Sequence, residues 1–233
     1  MAFLLGYDIG SSSIKATLMD IDTGKVIGSA TSPQQEMEIM AQQSGWAEQH
    51  PQTWWEHAVT ATQEIKANTG FSPADVKALG ISYQMHGLVA VDKQGEVLRP
   101  AIIWCDSRAV EIGRDAAQGI GPEKCLKNLL NLPGNFTASK LKWVKENEPD
   151  IYAKIDRVML PGDYIAFRMT DQIKTTPSGL SEGILWDFQQ QGLASLVMDY
   201  YGLDAGFIPE IVPTFSSQGT LTRHAAEAVS STP

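Results

Sequence analysis

The chain has 233 residues, 43% of them hydrophobic, with 18 Lys and Arg against 27 Asp and Glu for a formal net charge of −9. That size suits one large domain or two small ones, and the apolar share supports a sizeable core. The acidic balance argues against a surface that tracks nucleic-acid phosphates, which needs clustered Lys and Arg, but leaves room for a nucleotide whose charge one metal ion neutralises.

Cys105 and Cys125 stand at no metal-ligand spacing, so neither a disulfide framework nor a zinc site is expected, and two thiols fit a reducing cytoplasm. Met1-Ala2-Phe3-Leu4-Leu5 lacks a basic leader region and meets Asp8 too soon for a signal sequence. No apolar run approaches the ~20 residues needed to cross a bilayer. The expected location is the cytoplasm.

Phe3 to Tyr7 is an apolar run ending in Asp8-Ile9-Gly10, and Ile14 to Ile21 alternates with the period of a strand. Asp22-Thr23-Gly24-Lys25 is turn chemistry, and Val26 to Thr31 resumes as a third strand, so an antiparallel meander is predicted. After a polar loop, Pro51 opens a helix whose Trp54, Trp55, Ala58, Val59, Thr62 and Ile65 follow helical spacing, with Gly70 as its stop. Val76 to Tyr83 reads as a buried strand leading into Gln84-Met85-His86-Gly87, and Leu88 to Val91 and Ala101 to Trp104 read as further strands. Beyond Asp106 helices are predicted at about 107–118, 122–130, 137–147, 162–169 and 193–201, with 171–186 irregular and the polar tail from Ser216 cut in mid-element. The order predicts one domain, a mixed sheet covered by helices.

Three stretches carry polar chemistry at strand exits. Asp8-Ile9-Gly10-Ser11-Ser12-Ser13-Ile14-Lys15 places a carboxylate at the end of a strand read as buried, which is costly unless it is paired or meets a cation. The Gly-Ser turn beside it offers N–H groups and hydroxyls to phosphate oxygens, and Asp8 suits Mg²⁺ or its waters; an ordinary hairpin turn is the alternative. In Gln84-Met85-His86-Gly87 the imidazole suits hydroxyl recognition and Met85 an apolar wall, against the alternative of a satisfied core histidine. In Trp104-Cys105-Asp106-Ser107-Arg108 the indole suits stacking on a sugar, with Asp106 and Arg108 on hydroxyls or on each other. There the alternative is a core Trp104, a helix-capping Asp106 and a surface ion pair at Arg108.

Taken in order, these stretches resemble the FGGY carbohydrate kinases, and within them the bacterial xylulokinases. The resemblance is carried by Gly6-Tyr7-Asp8-Ile9-Gly10-Ser11-Ser12-Ser13-Ile14-Lys15, Gly45-Trp46-Ala47-Glu48-Gln49 with Trp54-Trp55, and Leu79-Gly80-Ile81-Ser82-Tyr83-Gln84-Met85-His86-Gly87. It continues through Arg99-Pro100-Ala101-Ile102-Ile103-Trp104, Thr137-Ala138-Ser139-Lys140-Leu141 and Leu160-Pro161-Gly162-Asp163-Tyr164. Gln-Met-His-Gly is its most specific piece.

What the resemblance implies is an α/β, ribonuclease H-like domain of the actin, hexokinase and heat-shock chaperone ATPase superfamily, a mixed β-sheet flanked by helices with a helical insertion. Residues 1–233 would form the sugar-binding N-terminal domain, with the second kinase domain and its catalytic Asp beyond residue 233. The implied reaction is ATP-dependent phosphorylation of D-xylulose to D-xylulose 5-phosphate, with ATP and Mg²⁺ as cofactors and no nucleic-acid or membrane partner. Kinases of another pentulose, hexulose or polyol stay open, as do a non-catalytic sugar-binding module and the choice between monomer and homodimer. Asp8 would position Mg²⁺ and ATP, with Gly10, Ser11, Ser12, Ser13 and Lys15 around the phosphates. Met85 and His86 would bind the ketopentose, and Trp104, Asp106 and Arg108 would line the sugar cleft. Cys105 departs from the polar residue usual in relatives, and Pro177 to Gly183 departs enough to carry no assigned role. Ala228 to Pro233 resembles the segment that precedes the catalytic motif.

Overall fold

A computed structural model describes residues 1–230, so the last three residues of the Ala228–Pro233 stretch lie outside the described residues. The predicted meander forms: β1 (Phe3–Ile9), β2 (Ile14–Asp20) and β3 (Val26–Ser32) are antiparallel neighbours. The short β4 (Glu48–Gln49) then leads into α1 (Pro51–Thr69). Pro51 fixes the first turn of α1, and Gly70, at φ 67°, closes the last by donating its N–H to Lys66 O. Trp54, Ala58, Ala61 and Ile65 bury one face of α1 against the sheet, and Tyr7 Oη meets Thr62 Oγ1 at 2.7 Å.

Crossing over the sheet, α1 delivers β5 (Val76–Tyr83) parallel to β1, completing the order β3-β2-β1-β5. The strand expected to be buried is therefore an edge strand. Helices cover one face of the sheet, while Gly6, Asp8, Lys15, Ala78, Gly80 and Ser82 are exposed on the other.

The next strands, β6 (Val89–Val91) and β7 (Ala101–Ile102), do not extend this sheet: β7 pairs with β4, and β6 with β8 (Arg157–Met159). The helical part comprises α2 (Val110–Ile120), α3 (Pro122–Leu129), α4 (Thr137–Asn147), α5 (Pro149–Tyr152) and α6 (Pro161–Thr170). The segment expected to be irregular holds β9 (Lys174–Thr175), α7 (Pro177–Glu182) and β10 (Trp186–Asp187). There Thr176 caps α7 by accepting from Gly179 N at 3.1 Å. Then come β11 (Gly192–Leu193), α8 (Ser195–Tyr201), β12 (Glu210–Ile211) and α9 (Arg223–Ser230). The tail thus forms a helix, because Ala225 and Val229 join the core beneath α1 and α6. A second apolar cluster, around Leu141, Val144, Val197 and Tyr201, holds the helical lobe together.

Asp163 is a buried acid with no ion-pair partner among the described residues. Its Oδ2 accepts from Leu160 N at 3.2 Å and from Thr175 Oγ1 at 2.9 Å. Burial pushes its pKa up to about 7, against the lowering effect of those two bonds. The unfolded carboxyl releases its proton near ~4, so between those values the native state holds the extra proton and stability falls as pH rises. Asp163→Asn keeps an acceptor and removes the titration. Urea denaturation at pH 4.5 and 7 should show a flatter pH dependence in the variant; an unchanged slope would contradict this account.

Candidate functional site

The parallel pairing of β1 with β5 aligns Ile9 with Tyr83, so the Gly10–Ser13 turn and the Gln84–Gly87 loop leave the sheet at one end. Gln84 N donates to Ile9 O at 2.8 Å and ties the two segments together. The third segment joins them through Trp104 Nε1, which donates to Ser11 Oγ at 3.1 Å. Leu88 and Ile102 exchange backbone hydrogen bonds of 3.0 and 3.2 Å just behind. Three stretches far apart in sequence form one continuous rim.

Asp8 is not buried, and the expectation of a costly inward carboxylate is corrected. By strand alternation Asp8 points to the open face of the sheet, where water tolerates it. Lys15 Nζ lies 3.7 Å from Asp8 Oδ2, with side chains 60% and 55% exposed for Lys15 and Asp8, a loose pair that leaves the carboxylate free to take a cation. The turn beside it is tight. Gly10 N donates to Ser13 O at 3.2 Å, and a Cβ on Gly10 would lie 2.8 Å from that same oxygen, so glycine alone fits. Buried Gln49 braces the turn by donating to Ser11 O at 2.7 Å while accepting from Trp54 Nε1 at 3.0 Å.

These residues suit a nucleotide phosphate with Mg²⁺: small polar residues, the Lys15 ammonium and an exposed carboxylate stand together at one sheet end. Among the described residues no group of three or more His, Cys, Asp or Glu could hold a metal ion. A metal here would be held by Asp8 and its own waters, as suits Mg²⁺ bound to phosphates.

His86 stands at φ 61°, a left-handed conformation that costs a non-glycine residue about 1–2 kcal/mol. Neighbours at two helix ends hold it there. Its Nδ1 lies 2.9 Å from Glu182 O at the end of α7, and its ring meets Phe136 edge-on at 4.3 Å. A carbonyl only accepts, so Nδ1 carries the proton. Burial lowers the imidazole's pKa below its ordinary value, against the Glu182 contacts, which raise it. The ring is then neutral, with Nε2 as a bare acceptor. The 3.4 Å approach of Nδ1 to Glu182 Oε2 is accordingly a polar contact and not an ion pair at neutral pH. Met85 and Trp104, 45% and 47% exposed, are the apolar surfaces of the rim. Gly87 is packed so closely on Pro161 that a Cβ would meet its ring at 2.5 Å.

Of the two readings left open for Asp106 and Arg108, the structure shows the one in which they bond each other and not an open sugar edge. Both side chains are buried and spent on each other and on the scaffold. Arg108 Nε bonds Asp106 Oδ1 and Oδ2 at 3.0 and 2.9 Å, and Asp106 Oδ2 also accepts from Ala47 N at 2.7 Å. Arg108 Nη1 lies 2.7 Å from Glu48 Oε1, which also pairs with Arg99, and Arg99 reaches Glu148 at 3.0 Å. The Arg108 guanidinium stacks on Trp46 at 3.9 Å and on Trp143 at 4.7 Å. The pair supports the wall behind Trp104 and offers no free edge to a sugar. Nor does Asp106 cap a helix, since α2 begins at Val110.

Roles for Gln49, Glu48, Arg99, Glu182 and Lys140 were not read from the sequence. Lys140 is fully buried, and its Nζ donates to His86 O at 2.7 Å and to Ile103 O at 3.0 Å. The matching runs around Glu48-Gln49, Arg99 and Lys140 carried the available signal, without assigning a task to each side chain.

The model of the FGGY family of carbohydrate kinases, N-terminal domain, matches residues 3–233. The xylulose kinase of Staphylococcus xylosus is 32% identical over 227 residues, covering 95% of this chain and 45% of the relative. The "xyloylose kinase" structure from Brucella ovis is 30% identical with a TM-score of 0.85, covering 95% of this chain and 46% of that one. The ligand-bound xylulose kinase of Lactobacillus acidophilus, at 18% identity, shares the fold with a TM-score of 0.88, over 98% of this chain and 46% of that one. The expected α/β fold of the actin and hexokinase type is the one observed. The chain spans less than half the length of these relatives.

Glu48 faces two buried guanidinium groups, so Glu48→Ala leaves both without their shared carboxylate. A loss of about 3–5 kcal/mol in urea denaturation is expected; a loss under ~1 kcal/mol would contradict the network's place in the fold.

Proposed function

Since the chain belongs to the FGGY family of carbohydrate kinases, we propose that it supplies the sugar-binding half of an ATP-dependent cytoplasmic kinase acting on D-xylulose to give D-xylulose 5-phosphate. The observation that carries this reading is the meeting of the Asp8 turn and the Met85-His86 loop at one sheet end, joined by the 2.8 Å bond from Gln84 N to Ile9 O. Phosphoryl transfer needs the acceptor hydroxyl and the nucleotide phosphate held in line, and a junction of these two segments supports that arrangement.

In this reading His86 Nε2 accepts a hydrogen bond from a sugar hydroxyl, while Met85 and Trp104 cover the carbon skeleton. Gly10, Ser11, Ser12, Ser13 and Lys15 would receive phosphate oxygens, and Asp8 would hold Mg²⁺. Bound there, the nucleotide would supply the phosphoryl group and Mg²⁺ charge neutralisation. The base for the attacking hydroxyl is assigned to an aspartate outside residues 1–233, in the half that the matched relatives possess in addition. The ketopentose rests on the Gln-Met-His-Gly stretch and on the relatives' names.

The test is a panel of ketopentoses, ketohexoses and polyols offered with Mg²⁺ and ATP to the longest natural polypeptide that carries this chain. D-xylulose should be the best acceptor; a different preferred acceptor would reassign the substrate, and no turnover with any would overturn the kinase reading. Asp8→Ala should lower kcat roughly a thousandfold or more while leaving the fold intact, since Asp8 is exposed. Near-normal turnover would remove Asp8 from the phosphate site. His86→Ala should raise the sugar KM roughly tenfold with little change in the ATP KM, and an unchanged sugar KM would take His86 out of the pocket.

A further inference from the structure

The placement of Lys140 runs against two physical preferences. An ammonium buried without solvent is expensive, and a cation in the first turn of a helix meets the positive end of the helix dipole. Lys140 is 0% exposed and lies in the first turn of α4, which has no acidic residue there. Burial lowers its pKa to about 8, with Asp106 and Cys105 raising it and Arg108 lowering it further, so the ammonium persists at neutral pH. What it receives in return is two carbonyls, those of His86 and Ile103, from two different strand exits.

Those carbonyls flank the rim. His86 O belongs to the left-handed residue whose ring faces the proposed sugar, and Ile103 immediately precedes Trp104. The same helix end grips the loop twice more, through Thr137 Oγ1, which donates to Gly87 O at 3.2 Å, and through the Phe136 ring on His86. On the far side α7 holds His86 Nδ1. Two charge-assisted hydrogen bonds from one ammonium outweigh the strain of a single left-handed residue.

We propose that Lys140 is the positioning residue of the sugar site: without touching the sugar, its ammonium fixes the left-handed His86 and locks it to the strand exit that carries Trp104. The idea rests on the kinase reading above and extends it to a residue in the protein interior. The imidazole acceptor and the indole wall then keep their spacing whether or not a sugar is bound, which is the preorganisation that hydroxyl recognition requires.

The experiment compares wild type, Lys140→Met, His86→Ala and the double variant, each in the longest natural polypeptide carrying this chain. Methionine keeps the length and loses the donors. Lys140→Met should raise the sugar KM roughly tenfold or more, with the ATP KM little changed, and should add almost nothing in the His86→Ala background. A folded Lys140→Met protein with wild-type sugar KM overturns the proposal, as does full additivity with His86→Ala. Where Lys140→Met does not fold, the ¹⁵N resonance of the Lys140 ammonium in the wild-type protein decides. As that signal reports loss of the ammonium near its lowered pKa of about 8, the wild-type sugar KM should rise over the same pH range with the ATP KM little changed, and a sugar KM flat across that titration overturns the proposal. A wild-type protein that phosphorylates no sugar instead counts against the kinase reading itself.

Discussion

The site depends on one pairing: β5 runs parallel to β1, with Tyr83 beside Ile9. Strands of this length span roughly 20 Å, so an antiparallel β5 would have sent the His86 loop to the opposite end of the sheet from the serine turn. Parallel neighbours need a crossover, and α1 is that crossover. Its aromatic face therefore stabilises the core and also sets the direction in which the Gln84–Gly87 loop leaves the sheet. Gln49, bonded at once to Trp54 and to the serine turn, links the helix to the turn directly.

Beneath this rim the protein interior holds several charged side chains. Glu48 stands between Arg99 and Arg108, Asp106 is consumed by Arg108 and Ala47, and Lys140 feeds two carbonyls. Buried ion pairs add little net stability compared with apolar packing, but breaking one partner is costly. Their effect here is geometric: the backbone of three separate segments is held by directional bonds in place of interchangeable apolar contacts. Met85 and Trp104 are left as exposed apolar surfaces over a polar foundation, and Asp8 stays hydrated on the uncovered face of the sheet.

Local rules made much of the fold readable. Period-2 alternation gave the meander, Pro51 and Gly70 bounded α1, and helical spacing together with Pro161 located α4 and α6. The rest depended on tertiary facts. Whether Asp8 is buried is decided by which face of the sheet is covered, and alternation alone does not say. Lys140 lies in a helix where a lysine ordinarily marks the solvent side. Glu48 and Arg99 are 51 residues apart, so no local pattern announces their pairing, and Asp106 with Arg108 looked available for a sugar because neither Glu48 nor Trp46 was known to be waiting. The α7 turn had a legible signal in Thr176-Pro177, a capping residue before a first-turn proline, yet only the structure shows that its last carbonyl sets the tautomer of His86.

The central claim is that the proposed sugar loop, Gln84–Gly87, and the proposed phosphate turn, Gly10–Ser13, form one site. Paramagnetic relaxation tests it most directly, with Mn²⁺ replacing Mg²⁺ on a non-hydrolysable ATP analogue and a ¹³C-labelled ketose bound at the same time. The account predicts strong, distance-dependent broadening of the sugar carbons, greatest at the carbon that carries the acceptor hydroxyl. A sugar that binds but keeps its lines sharp in the presence of the bound Mn²⁺ nucleotide would place the two ligands apart and contradict it.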